Sequence, residues 1–325
     1  MSSSRDRSRA IGMLILATPC WALSFPIMKA LALEQQKLLP GASSWFLTGL
    51  GVMVRFGVAG VLMLPLLIRG RFQFSRREVE QGILLALFGG GGIAFQMDGL
   101  SYTAASTSAF LTQGYIVFIP IWVMLVTRRW PSPKIILCVT LVLIGVAVLA
   151  NLDFHALRLG RGELETVIAS LLFTGQILTV ENPRYSANRP MYFSVVMFLS
   201  MALFSLPLIW ATAPNAAACV HAYSSPAACG FMLVLIVVCT LGGYLIMNGW
   251  QRRVSATEAG LIYCIEPVCA SAMSLFLPAW FSVWANIHYP NEQLTDRLLI
   301  GGVLVTVANL LLQSPWLESK KASDV

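Results

Sequence analysis

The stretch "SATEAGLIYCIEPVCASAMSLFL", residues 255–277, is a long apolar run that contains only two charged side chains. Glu258 lies near its start, whereas Glu266 lies at its middle, directly before Pro267. A helix of about 20 mostly apolar residues is long enough to cross the hydrocarbon core of a bilayer. The stretch is therefore predicted to span a membrane, with one carboxyl group placed deep inside it.

The composition of the whole chain agrees with this prediction. The 325 residues are 57% hydrophobic and 11% charged, whereas soluble domains are about one quarter charged. The net charge of +7 does not indicate a nucleic-acid partner, because the basic residues lie in short gaps between apolar runs instead of forming one patch. The sequence therefore predicts that the protein lies in a lipid bilayer.

The same length criterion finds about ten apolar runs along the chain. They cover residues 10–33, 44–68, 80–97, 104–127, 135–151, 162–180, 191–211, 227–248, 254–276 and 298–315. We therefore expect an all-α polytopic membrane protein without a soluble catalytic domain, since only short loops separate the runs. The first run is predicted to be a helix and not a cleaved signal peptide, because it is long and ends near Lys29.

Lys and Arg residues sort unequally between the two sides of these ten predicted helices. With the N-terminus inside, the cytoplasmic side receives Arg5, Arg7, Arg9, Arg69, Arg71, Arg76, Arg77, Arg128, Arg129, Lys134, Arg184, Arg189, Arg252, Arg253, Lys320 and Lys321. The other side receives Lys37, Arg158, Arg161 and Arg297. Because positively charged loops stay in the cytoplasm, both termini are predicted to be cytoplasmic.

Two segments of the chain resemble each other at a shift of about 150 residues. They are "GLSYTAASTSAFLTQGYIVFIP" from Gly99 and "GWQRRVSATEAGLIYCIEPVC" from Gly249, and each follows a glycine-rich helix end. The match predicts two five-helix repeats, residues 10–151 and 162–315. Five is an odd number, so the repeats face opposite ways in the membrane. Inverted repeats are typical of secondary transporters, which bind substrate near the bilayer midplane.

Four stretches are similar to one known family. They are "CWALSFPIMKALAL" (residues 20–33), "VRFGVAG" (54–60), "SYTAASTSAFLTQGYIVFIPIW" (101–122) and the stretch quoted first. The chain resembles the EamA-type branch of the drug/metabolite transporter superfamily from about residue 10 to 315. The resemblance implies a ten-helix inverted fold in the cytoplasmic (inner) membrane that moves amino acids, other metabolites or toxic compounds, often outward. Members usually carry a Gly-Glu or Glu-Arg pair after the fourth and ninth helices, where this chain has "VTRRWP" and "LPAWFSVWANIHYPNEQ".

Two ionisable residues are predicted to lie near the middle of the membrane. Glu266 in helix 9 and Arg55 in helix 2 are each about 15 Å from a membrane face at 1.5 Å per residue. Such residues usually face the bundle interior or a water-filled cavity. One interpretation is a fixed ion pair that holds the helices together. In the other, Glu266 contacts an amine or carries a coupling proton, while Arg55 attracts a carboxylate.

Further candidates for the substrate site come from prolines, aromatic residues and amides. Pro120 and Pro267 lie inside helices 4 and 9, where each removes a backbone hydrogen bond and is expected to kink its helix. The remaining candidates could line a cavity or pack between helices. They are Trp21, Tyr115, Tyr263 and Gln96, with Phe25, Trp122, Tyr244, Gln113, Gln176 and Asn248 as further possibilities.

Three charged residues near helix ends are assigned roles outside the site. Lys29 is expected to extend to the outer interface, and Asp98 is expected to be solvated at an outer helix end. Glu258 is expected to complement the N-terminus of its helix or to pair with Arg252. These assignments leave Glu266 and Arg55 as the buried charges.

No metal or other cofactor is predicted, and no catalytic residue. The histidines His155, His221 and His288 are scattered over different loops, the aspartates are isolated, and no phosphate-binding glycine motif is present. The predicted function is a secondary active or facilitative transporter of a small-molecule substrate by alternating access, with export as the preferred direction. The alternatives are a multidrug exporter and a membrane-embedded enzyme for a lipid-like substrate. Substrate identity, coupling ion, oligomeric state and a bridge between Cys219 and Cys229 stay open.

Overall fold

The computed structural model describes residues 4–68, 73–149 and 160–313, and this part of the chain contains helices and no β-strand. Its α-helices, in chain order, are α1 Ser4–Ala22, α2 Ser24–Leu38, α3 Ser44–Ile68, α4 Arg76–Leu85, α5 Gly91–Gly99, α6 Ala105–Leu111, α7 Tyr115–Thr127, α8 Pro133–Leu149, α9 Arg161–Glu181, α10 Pro190–Thr212, α11 Ala216–His221, α12 Pro226–Val234, α13 Gly243–Trp250, α14 Ala256–Tyr263, α15 Ile265–Ser274, α16 Leu277–Ala285 and α17 Asp296–Gln313. The predicted all-α class is confirmed for these residues.

Several consecutive helices continue into one another and form membrane spans. Seven spans are long and apolar enough to cross a bilayer, namely Asp6–Leu38, Ser44–Leu67, Arg76–Gly99, Ala105–Thr127, Arg161–Glu181, Pro190–Thr212 and Pro226–Arg253. Ala256–Ser274 and Leu277–Ala285 form a pair bent by 55°, which gives eight if the pair is one span. Pro133–Gly145 and Leu299–Ala308 are apolar but shorter. The predicted count of ten is therefore not confirmed by length and composition in the described residues.

The spans carry irregularities near their middles. The first is interrupted at Leu23 between α1 and α2, three residues before Pro26, which cannot donate to the carbonyl of Ala22. The spans Arg76–Gly99 and Pro226–Arg253 each contain a π-helical segment, Ala86–Gly90 and Leu235–Gly242. Such segments widen the helix locally and are frequent at functional sites.

Small residues allow the helices to approach closely. α10 packs against α3 and α4, and α5 packs against α9. A Cβ atom at Gly82 of α4 would lie 2.6 Å from Val196 Cβ of α10. A Cβ atom at Gly99 would lie 2.8 Å from the carbonyl oxygen of Gly162. Because lipid tails are as apolar as leucine, this close backbone packing is what holds membrane helices together.

Ion pairs join helix ends on the side predicted to face the cytoplasm. Arg189 Nε donates to Glu78 Oε1 at 2.7 Å, and this hydrogen bond raises the pKa of Arg189 above its ordinary value. Arg7 pairs with Glu258. Glu258 also accepts from the backbone of Ser255 in a capping box, so its predicted role at the helix N-terminus is confirmed, although its partner is not Arg252.

Candidate functional site

A cavity of about 60 Å³ lies between the spans. The residues that line it are Trp21, Ser24, Arg55, Ile93, Gln96, Thr112, Tyr115, Phe173, Gln176, Ile177, Tyr244, Met247, Tyr263 and Glu266. Since one water needs about 10–15 Å³ measured this way, the cavity has room for a few waters. A metabolite would fit only after the surrounding helices have moved.

The structure brings six of the eight predicted site residues to this cavity: Trp21, Arg55, Gln96, Tyr115, Tyr263 and Glu266. The other two, Pro120 and Pro267, do not line it. Instead, the ninth predicted helix is divided at Cys264 into α14 and α15. Pro267 follows this division and has no N–H to donate to the carbonyl of Tyr263. The fourth predicted helix is divided by a 3₁₀ turn at Thr112–Gly114 into α6 and α7, and α7 continues through Pro120. Both prolines therefore lie a few residues after a division of their helix and do not line the cavity.

Arg55 is 1% exposed and is held by uncharged partners. Its Nε donates to Thr240 Oγ1 at 2.6 Å, and its Nη1 lies 3.5 Å from Met28 Sδ. Thr240 belongs to the π-helical segment Leu235–Gly242, so this irregular helix is what positions the guanidinium. In the part of the chain that the structure describes, no carboxylate lies within ion-pair distance of Arg55.

Glu266 is 7% exposed and has no hydrogen-bond or ion-pair partner among the described residues. Of the two interpretations of Glu266 and Arg55, the fixed ion pair is therefore not observed, although both side chains line one cavity. The reason is that Arg55 is directed by Thr240 and Met28 toward the spans Pro226–Arg253 and Asp6–Leu38. One basic and one acidic buried group are left available to a molecule that enters the cavity.

Aromatic rings form one wall of the cavity. Trp21 meets Tyr263 edge to face with centroids 5.1 Å apart, and it meets Tyr244 in the same way at 5.8 Å. Tyr263 donates to Gln251 Oε1 at 2.9 Å, and Tyr115 donates to Gln113 Oε1 at 2.7 Å. The two hydroxyl groups are thus satisfied by the protein, which fixes the rings as rigid surfaces.

Two donors at the cavity have no partner in the described structure. The indole Nε1 of Trp21 and the amide Nε2 of Gln176 are both buried and unsatisfied. Gln96, in contrast, donates to Thr112 Oγ1 at 2.9 Å. A buried donor without an acceptor costs free energy, so Trp21 and Gln176 are positioned to bind acceptor atoms of a ligand.

Some residues of the cavity were not predicted from the sequence, and they lie close in sequence to residues that were. All of them except Ile177 lie three positions along the chain from a named candidate, a spacing at which helical side chains share one face. The pairs are Ser24 with Trp21, Ile93 with Gln96, Thr112 with Tyr115, Phe173 with Gln176, and Met247 with Tyr244, while Ile177 lies four positions after Phe173. Helical periodicity applied outward from each candidate would have found them.

The other candidates lie away from the cavity. Asn248 donates to Ser194 Oγ at 2.8 Å, Phe25 is a core residue 1% exposed, and Trp122 is 53% exposed. Lys29 donates to the backbone carbonyls of Leu100 and Thr103. These carbonyls follow the end of α5 and lack helical partners, and they lie at the helix end that is predicted to face outward.

Two further predictions concern Asp98 and the cysteines. Asp98 is 0% exposed, so the prediction that it is solvated is wrong. Its carboxylate accepts from Arg161 at 2.6 Å. Cys219 and Cys229 are both free thiols, and Cys229 lies inside α12. In the described residues, no group of three or more His, Cys, Asp or Glu side chains could hold a metal ion.

The apolar spans around a buried, charged cavity define a helical multi-pass membrane protein. Residues 8–151 match the EamA-like transporter family, and the resemblance predicted from the sequence is thereby confirmed over these residues. An uncharacterized transporter of Archaeoglobus fulgidus is 23% identical over 292 residues, which cover 90% of this chain and 83% of that protein. These two matches support a membrane transporter as the functional class.

A solved structure described only as the crystal structure of a protein shares the fold. Its TM-score is 0.63 at 16% sequence identity, and the match covers 96% of this chain and 100% of the other. At this identity the likeness concerns the fold alone. The fold of the described helices is therefore one that occurs in an experimental structure.

Proposed function

We propose that this protein is a secondary active or facilitative transporter that exports small metabolites, with amino acids and related compounds as the substrate class. The observation that carries the proposal is the presence of two buried charges, Arg55 and Glu266, that line one cavity without pairing. A zwitterion offers a carboxylate to the first and an ammonium group to the second. Trp21 and Gln176 add donors for the carboxylate oxygens.

The energetics favour a charged substrate over an apolar one. An unpaired buried charge costs several kcal/mol, and the protein leaves both charges without an opposite partner. A ligand that supplies the missing charges removes this penalty when it binds, and hydrogen bonds to charged groups contribute about 1.5–3 kcal/mol each. The aromatic wall of Trp21, Tyr244 and Tyr263 then packs against the apolar part of the ligand.

Alternating access is the mechanism that the burial of the cavity supports. All residues that line the cavity except Trp21 are buried, so the helices around it have to separate on one side and then on the other for a substrate to enter and leave. The proposed units of this movement are the inverted repeats, residues 10–151 and 162–315. In their favour, the π-helical segments Ala86–Gly90 and Leu235–Gly242 are related by the same shift of about 150 residues as the sequence match. So are the interruptions at Thr112–Gly114 and Cys264.

The membrane arrangement is part of the proposal. We place the chain in the cytoplasmic (inner) membrane with both termini in the cytoplasm. The support is the sorting of Lys and Arg between loops and the resemblance to EamA-type transporters, which also favours export. A proton is the coupling ion that Glu266 would carry, since a carboxyl group inside a membrane changes charge by taking up a proton.

Multidrug export is the second candidate, and one observation favours it. The aromatic wall and the single carboxyl group of Glu266 also suit an apolar cation, which would not need Arg55.

The test is counterflow in liposomes that contain the purified protein. The substrate panel holds amino acids, their decarboxylated amines, their amides and lipophilic cations at equal concentration. We expect saturable exchange of the zwitterions and weak exchange of the amines. Exchange of lipophilic cations alone would replace the first proposal with the second, and conversion of a panel compound into a new product would indicate an enzyme.

A further inference from the structure

A second group of buried charges lies away from the central cavity, where α5 meets α9. Asp98 is the penultimate residue of α5, and Glu165 lies in the first turns of α9. Their exposed fractions are 0% and 7%. Arg161 binds both carboxyl groups, since its Nη2 donates to Asp98 Oδ2 at 2.6 Å and its Nε donates to Glu165 Oε1 at 2.8 Å.

One guanidinium group cannot satisfy this pair. Each carboxyl group retains one buried oxygen, Asp98 Oδ1 and Glu165 Oε2, for which the described structure offers no donor. Both carboxyl groups bind neighbouring nitrogens of one guanidinium group, Nη2 and Nε, so they lie side by side. A single proton held between the two oxygens would satisfy both.

Repulsion between the two carboxyl groups limits how many of them can be ionised. Two carboxylates that share one site cannot both be ionised without a large cost. The arrangement therefore fits one ionised and one protonated carboxyl group.

The other charged groups near the pair are engaged elsewhere. On α9, Glu163 accepts from Thr103 Oγ1 at 2.7 Å. From α2, Lys29 binds backbone carbonyls, and Glu292, which precedes α17, accepts from the amide of Ser106. Tyr102, after α5, stacks on the Arg161 guanidinium with 4.2 Å between Cζ and the ring centroid and binds its Nη1. α3 contributes the Ser44 hydroxyl at 3.5 Å from Arg161.

We propose that Asp98 and Glu165 form a binding site for one proton, and that this proton is released to water when α5 and α9 move apart. The site is at the end of the bundle that the charge sorting predicts to face outward, and it joins the two proposed repeats. Release leaves two carboxylates, of which Arg161 neutralises one, so opening at this end requires a proton acceptor in the outer solution. The coupling of proton release to opening rests on the proposed transport function, whereas the proton site itself does not.

The proton site is tested by infrared spectroscopy of the purified protein during a pH titration, in a Glu266→Gln background so that only other carboxyl groups contribute. We expect a protonated carboxyl signal at neutral pH that disappears in Asp98→Asn and in Glu165→Gln. The double variant should lose no more than each single one, because one proton is shared. Glu163→Gln, which changes the neighbouring carboxyl group that already has a hydroxyl partner, should retain the signal.

Three results would overturn the site. Retention of the signal in Asp98→Asn and Glu165→Gln would mean that both groups are ionised, with water between them. A loss of the infrared signal in the double variant that is twice the loss in either single variant would mean that two independent protons are bound. Stabilisation by Na⁺ that Asp98→Asn abolishes would indicate a sodium site instead.

The coupling is tested by counterflow in liposomes in which the outer pH varies and the inner pH is fixed. We expect a rate that changes up to about tenfold per pH unit, the dependence for one proton, in wild type and in Glu163→Gln. Asp98→Asn should fold as well as wild type, because its amide donates to Glu165 in place of the proton, and its rate should no longer depend on outer pH. A wild-type pH profile in Asp98→Asn would refute the coupling, and absence of transport in wild type would refute the proposed function while the infrared result stands.

Discussion

Replacing Arg55 by methionine should leave the protein about as stable or more stable while it weakens substrate binding. Arg55 is 1% exposed and has no carboxylate partner among the described residues. Replacing even a paired buried charge and its partner by apolar residues of similar size is often neutral or stabilising by about 1–4 kcal/mol. The lost bond to Thr240 offsets about 1 kcal/mol, which leaves a net change of about −1 to +3 kcal/mol in the free energy of unfolding.

The effect on transport has the opposite sign. If Arg55 binds the carboxylate of the substrate, Arg55→Met removes a charged hydrogen bond of about 1.5–3 kcal/mol. At about 1.4 kcal/mol per factor of ten, this raises the counterflow KM about 10- to 150-fold. For the amide of the same amino acid, which lacks the carboxylate, the KM should change little. The assay is counterflow over a concentration series, with a thermal melting curve of each purified variant.

Arg189→Met is the matched control, since the same change is made to an arginine that is paired. Glu78 is 2% exposed and Arg189 is its ion-pair partner, so this variant leaves a buried carboxylate unpaired and should lose about 1–3 kcal/mol. A clear loss of stability in Arg55→Met would refute the conclusion that Arg55 is unpaired. An unchanged KM in a well-folded Arg55→Met would refute carboxylate binding.

Three further predictions concern the site, the topology and the packing. Glu266→Gln keeps the shape of the side chain but removes its charge, so transport should fall at least about tenfold at normal expression; wild-type rates would show that Glu266 is dispensable. In a variant without native cysteines, a membrane-impermeant thiol reagent added to intact cells should label a cysteine at Ser224 and not one at Gln73, and the reverse pattern would invert the topology. Gly82→Ala would place a Cβ 2.6 Å from that of Val196 and should cost about 1–3 kcal/mol, whereas Gly249→Ala, with nothing within 4 Å, should be neutral or stabilising in thermal melting.

The sequence by itself determined that this protein lies in a membrane and which residues are candidates for its functional site. Apolar runs of bilayer length predict helices because a lipid environment leaves the backbone no other way to satisfy its hydrogen bonds. The cost of charge in hydrocarbon singles out Arg55 and Glu266 without any structure. Periodicity of three or four residues would have extended this set to most of the cavity wall, for example from Gln176 to Phe173.

The tertiary structure alone decided which of these residues meet. Depth along a helix is readable from sequence, but the rotation of each helix depends on packing against distant segments, and a rotation of one residue moves a side chain by about 100°. The π-helical segment that presents Thr240 to Arg55 therefore separates Arg55 from Glu266, which equal depth had suggested as partners. For the same reason Asp98, predicted in water, is buried against Glu165 and Arg161, because the contact of Gly99 with Gly162 brings α5 and α9 together at that point.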